Sequence, residues 1–226
     1  MEAATVQRNV STIAANFAEE RRERQQRRNL VASDFDRLRD AGFLLTGVPI
    51  GHGGIWESVP RSARPICEML RILAHGDSSV ALVCAMHPAV LNFWMATAEA
   101  PEPYREAWLE QRRLIFGDVC EGAWWGTIAS EPGAAGDLTK SKALARHAVS
   151  GGEYQLSGQK NFGSGSGVTS FMLTVAVPEA ETTPDIFFLD MRKVPWDGSV
   201  GGRSPPWPRH RLRAAGCRAS TIPTKY

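Results

Sequence analysis

Apolar residues recur at helical spacing in this chain as far as about Ile115, and in short alternating runs beyond it. That switch constrains the fold more than any single motif. Val10, Ile13, Ala14, Phe17 and Ala18 form one stripe within residues 2–30, and Ile66, Met69, Leu70 and Leu73 form another between Arg61 and Leu73. Between them, Ser33 is positioned to cap a short helix through Phe35, Leu38 and Arg39 that Gly42 ends. The loop Gly51-His52-Gly53-Gly54 excludes regular structure. Asp77 or Ser78 can cap a helix from Ser79 to about Ala98, whose nearly unbroken apolar surface predicts the buried centre of a bundle. A short helix over Pro103–Arg112 completes about five. The predicted strands are Gly126–Ser130, Leu138–Val149, Glu153–Leu156, Lys160–Phe162, Ser170–Val177 and Asp185–Asp190, with Gly151-Gly152 as a hairpin turn. Helices followed by strands imply an α+β chain built as two domains.

Charge narrows the partners. The net charge of +2 over 226 residues conceals an uneven distribution. Beyond Asp197 there are six basic residues and no acidic one, so the remainder holds 20 basic against 24 acidic residues. A mildly acidic body argues against a nucleic-acid partner. The basic run Arg21–Arg28 is expected to be a solvated helix face. No stretch of about eighteen apolar residues suggests a membrane span, and the polar N-terminus carries no signal-like apolar region. Four scattered cysteines form no metal-ligand or disulfide pattern, which fits a reducing, cytoplasmic location.

Two small-residue loops carry the chemistry. Ala129–Asp137 and Gly158–Gly165 each lie between β-like runs, about thirty residues apart. Their glycines allow close backbone approach to a flat polar ligand, and Ser130 and Ser164 each supply a hydroxyl. His75 and His87 read as helix-end or packed residues, and Trp124-Trp125 as barrel packing.

Several motifs in this order resemble the acyl-CoA dehydrogenase family. They are Leu38–Phe43, Val48-Pro49 with Gly53-Gly54, and Gly76–Leu82. Ser130–Asp137 is similar to the family's Thr-Glu-Pro-x-Ala-Gly-Ser-Asp, with Ala135-Gly136 in place of Gly-Ser. Gly158–Ser164 is similar to its Gly-x-Lys-x-(Trp/Phe)-x-(Thr/Ser). The resemblance implies an N-terminal α-helical bundle over 1–122 and a small antiparallel β-barrel-like domain over 123–200 that carries flavin-facing loops. An irregular, basic, Pro/Arg-rich tail occupies 201–226. The resemblance also implies FAD as cofactor and oxidation of a CH–CH bond in an acyl thioester. By positional match, Ile128 and Ser130 would lie along the pyrimidine side of the flavin. Phe162 and Ser164 would lie near its redox edge, with the Ser164 hydroxyl near N5.

In that family the catalytic base and the core of the homo-oligomer belong to a C-terminal helical domain. No residue here takes the catalytic role. The tail after Val200, rich in Arg, Pro, Ala and Gly, reads as out-of-frame sequence from a truncated gene. Two alternatives remain open at this point. Phe162-Gly163-Ser164-Gly165 fits the flavin-dependent monooxygenases of the same fold, and a non-enzymatic remnant or interaction module would need no chemistry at all.

Overall fold

The computed structural model describes residues 1–97, 99–134, 136–147 and 154–192, together with the backbone of 210–213 and 219–222. It divides into two compact units, Met1–Trp124 and Trp125–Tyr226. The first is helical: α1 (Ala3–Glu19), α2 (Arg21–Arg24), α3 (Ala32–Asp40), α4 (Val59–Gly76), α5 (Ser78–Ala96) and α6 (Arg105–Cys120). The α1 stripe begins a turn earlier than expected, at Val6, and omits the exposed Ala18. It packs on α4 so closely that a Cβ at Gly76 would lie 2.4 Å from the Ala14 carbonyl oxygen.

Asp77 caps α5, its carboxylate accepting from the amides of Ser79 (2.9 Å) and Val80 (3.1 Å). By length and composition alone this helix could cross a membrane, yet more than half of it is buried within the helical unit. Val80, Val83, Leu91 and Trp94 face the core, whereas Leu82 and Phe93 are exposed, so its burial is one-sided.

Three local expectations change in this unit. Ser33 lies inside α3, whose cap position is Val31 in extended conformation. The position is set by backbone dihedrals rather than by a capping side chain. Helix α6 runs to Cys120, because Ile115, Phe116 and Val119 form a helical stripe despite their preference for strands. The basic run is not wholly solvated either, since Arg24 is buried. Its guanidinium donates to both carboxylate oxygens of Asp34 (3.1 and 2.6 Å), to Asp77 (2.8 Å) and to Glu20 (3.2 Å), and it lies 3.6 Å over the Phe17 ring.

The second unit is one sheet: β1 (Trp125–Thr127), β2 (Leu144–His147), β3 (Tyr154–Lys160), β4 (Phe171–Pro178), β5 (Asp185–Asp190), β6 (His210–Arg213) and β7 (Ala219–Ile222). Its order is β6-β3-β2-β4-β5-β7, with β1 also on β4. The α+β class holds, but the sheet is mixed rather than antiparallel throughout. Both β1 and β2 run parallel to β4 along the same edge, with Trp125 opposite Phe171 and Leu144 opposite Val177. They can do so because the chain between them leaves that edge and returns to it, so no hairpin forces reversal.

The two runs expected as separate strands on either side of Gly158 are one strand, β3. Two strands, β6 and β7, lie in the stretch expected to be irregular and pair with β3 and β5. The Gly151-Gly152 turn falls outside the described residues. The core joins Ile128, Ala145, Leu156, Met172, Phe187 and Leu189. The two tryptophans part company at the division between units. Trp125 stacks on Phe171 within the sheet, whereas Trp124 packs with Phe35, Phe43 and His87 in the helical unit.

Candidate functional site

The chain departs from the edge of β4 after Ile128, whose amide donates to the Leu173 carbonyl (2.9 Å) and whose carbonyl accepts from the Thr174 hydroxyl (2.7 Å). It rejoins that edge at Ala143, whose carbonyl accepts from the Val177 amide (2.7 Å). The first loop therefore projects from a gap in the sheet edge. The second follows β3. The two meet where the Asn161 amide donates to the Ser130 carbonyl (2.7 Å). A contact between segments about thirty residues apart in sequence is thus made by main chain.

Beneath this junction lies a buried ion pair. The Lys160 ammonium, 2% exposed, donates to Glu131 (2.5 Å), to the Val175 carbonyl (2.5 Å) and to the Ser141 hydroxyl oxygen (3.2 Å), with the Ala129 carbonyl at 3.4 Å. Glu131 also accepts from the Ser141 hydroxyl (2.5 Å) and from the amides of Lys142 (2.7 Å) and Ala143 (3.1 Å). Burial alone would raise the Glu131 pKa, but the donors of Lys160, Ser141, Lys142 and Ala143 outweigh it and hold the carboxyl below its ordinary 4.5. Burial draws the Lys160 ammonium below its ordinary 10.5, against the opposing pull of Glu131.

Of the four residues the sequence singles out, three reach the surface near this junction. Phe162 is 64% exposed with φ +60°, and among the described residues it is the one non-glycine with positive φ. Its carbonyl accepts from the Ser164 amide (2.8 Å). A side chain at neighbouring Gly163 would meet the Ser166 hydroxyl at 2.6 Å and Ile128 Cδ1 at 3.0 Å, so the turn needs glycine there. The hydroxyls of Ser130 and Ser164, both half-buried, make no hydrogen bond among the described residues. Ile128 differs from the other three. It is 1% exposed and forms the floor under Gly163, so its side chain is part of the sheet core rather than of the surface.

Sequence reasoning placed no function on Lys160. Period 2 puts it on the same face of β3 as the buried Leu156, a parity that already demanded a charged partner. A larger cleft of about 300 Å³ lies in the helical unit, lined by Arg21, Arg24, His75 and Asp77. Its polar groups serve one another, Arg21 with the His75 carbonyl (2.6 Å) and Arg24 with Asp77, so the paired loops are the stronger candidate.

No protein-family profile and no curated protein matches the chain. Solved structures do. FMN-bound TdsC, a dibenzothiophene monooxygenase of Paenibacillus sp. A11-2, aligns at a TM-score of 0.69 and 19% identity, over 86% of this chain and 46% of that one. Methanesulfinate monooxygenase MsuC of Pseudomonas fluorescens aligns at 0.61 and 23%, over 82% and 43%. Butyryl-CoA dehydrogenase of Megasphaera elsdenii aligns at 0.62 and 18%, over 82% and 48%. The resemblance to the acyl-CoA dehydrogenases therefore holds at the level of fold, and monooxygenases share that fold. The chain spans just under half the length of each of these structures.

Proposed function

We propose that a chain of this fold, common to dehydrogenases and monooxygenases, presents its two paired loops to a flavin and serves a flavin-dependent oxidoreductase. The observation that carries this reading is Phe162. A non-glycine residue in the left-handed region costs roughly 1–2 kcal/mol, and its ring is 64% exposed, so burial does not recover that cost within the sheet. Strain kept at an exposed aromatic points to a ligand. A flat heteroaromatic ring is what such a side chain stacks on. The unengaged Ser130 and Ser164 hydroxyls beside it suit ring carbonyls and ring nitrogens. A bound flavin would supply the two-electron chemistry, while these residues would hold the ring and keep water from one face.

The expected reaction is oxidation of the CH–CH bond of an acyl thioester, with FAD as the flavin. A second reading, oxygen-dependent chemistry with FMN or FAD, suits the Phe162-Gly163-Ser164-Gly165 loop. Titration of the purified chain with FAD and with FMN, followed by visible absorbance after desalting, tests the common part. Retained colour is expected, and a colourless protein with both flavins overturns it. Anaerobic bleaching of the retained flavin by an acyl thioester would select the dehydrogenase reading. Stimulated oxygen uptake by the reduced, protein-bound flavin would select the other.

A further inference from the structure

The strands β1 and β2 occupy the two ends of one edge of β4 and leave a gap opposite Thr174–Ala176. The Val175 carbonyl points into that gap, where no strand can reach it. Lys160 fills the vacancy from β3 and at the same time holds Glu131, the residue after Ser130, and stands two residues before Phe162. Ser141, on the returning limb of the first loop, donates to Glu131 and lies 3.3 Å from the same Val175 carbonyl. Three chain segments converge on one ammonium.

We infer that Lys160, with Glu131 and Ser141, is a positioning device that sets the two loops in register on β4 so that Ser130, Phe162 and Ser164 face one ligand ring. This rests on the flavin reading for the ligand, but the register it sets is a property of the free protein. The ammonium touches no exposed surface, so it acts through the loops and not on the ring itself. A lysine in this role has a distinct signature. Removing it leaves the β4–β5 ladder intact, because none of those hydrogen bonds passes through Lys160. It loosens only the Ser130–Asn161 junction and the turn after it.

Amide hydrogen exchange on the full chain and on Lys160→Met decides the matter. Protection of the Asn161 and Ser164 amides is expected to fall at least tenfold, with that of the β4–β5 amides within twofold of the parent. Unchanged protection at Asn161 and Ser164, or an equal loss across the whole sheet, overturns the inference. Should Lys160→Met not fold, Ser141→Ala keeps the ion pair and carries the test, with the same pattern expected at smaller size. FMN and FAD titrations of the same proteins separate the two proposals. If the parent binds flavin, Lys160→Met is expected to weaken it at least tenfold and alter its visible circular dichroism, and equal binding overturns positioning. If the parent binds neither, the flavin reading fails while exchange still decides the register.

Discussion

At Phe162 the energetics of the free chain and the needs of a ligand site oppose each other. Phe162→Gly removes an unfavourable dihedral and little buried surface, so stability in urea is expected to rise by about 1 kcal/mol. Flavin affinity is expected to fall about tenfold with the lost stacking surface. A drop in stability instead would mean that the ring packs on the sheet. Ser130 and Ser164 were readable as loop residues because small residues and glycines announce loops, whereas Phe162 was singled out by the family resemblance alone. The Glu131–Lys160 pair was not readable, because its partners lie 29 residues apart and only the folded sheet brings them together. Alternation along an unbroken Tyr154–Lys160 strand would have put Lys160 on the buried face, but splitting that strand at Gly158 hid it, and alternation never names a partner.

Elements are joined in the helical unit through Arg24, which ties α2 to α3 by Asp34 and to the start of α5 by Asp77. Arg24→Met strips the partly buried Asp77 of its cation and leaves buried Asp34 only Arg27 (3.4 Å), and should cost about 3 kcal/mol in denaturant unfolding. Arg24→Lys should recover only part of this, since a point charge cannot serve both oxygens of Asp34 and also reach Asp77. A cost below about 1 kcal/mol for Arg24→Met would show that the network is surface-like. Helix and strand types were readable from period wherever burial was one-sided, as in α1 and α4. They failed where propensity and period disagreed, as at Ile115 and Phe116 in α6. Strand direction was not readable, because alternation is the same in parallel and antiparallel pairs.

Across the molecule, acid should act on the two units in succession. His87, fully buried, has its pKa lowered to about 4 by burial, against the opposing hydrogen bond to the Leu44 carbonyl. The unfolded chain takes up this proton near 6.5 and the folded chain only near 4, so helical stability is full above 6.5 and declines by up to about 3 kcal/mol as pH falls to 4. Glu131 is held below 4.5, so its contribution to the sheet is intact above that value and is lost only as pH falls further. Thermal midpoints followed by far-ultraviolet circular dichroism and by fluorescence should separate between pH 6 and 4.5, and His87→Gln should flatten the first decline. Coincident curves would mean that the units unfold as one.

The gap in the edge of β4 has a consequence for how such a chain changes over time. Because β1 and β2 are each registered on β4 independently, residues can be inserted or deleted between Pro132 and Lys140 without shifting any strand by a place. The frame is thereby insulated from changes in that loop. Length and composition in that stretch are free to drift while the surface beside Phe162 stays where it is.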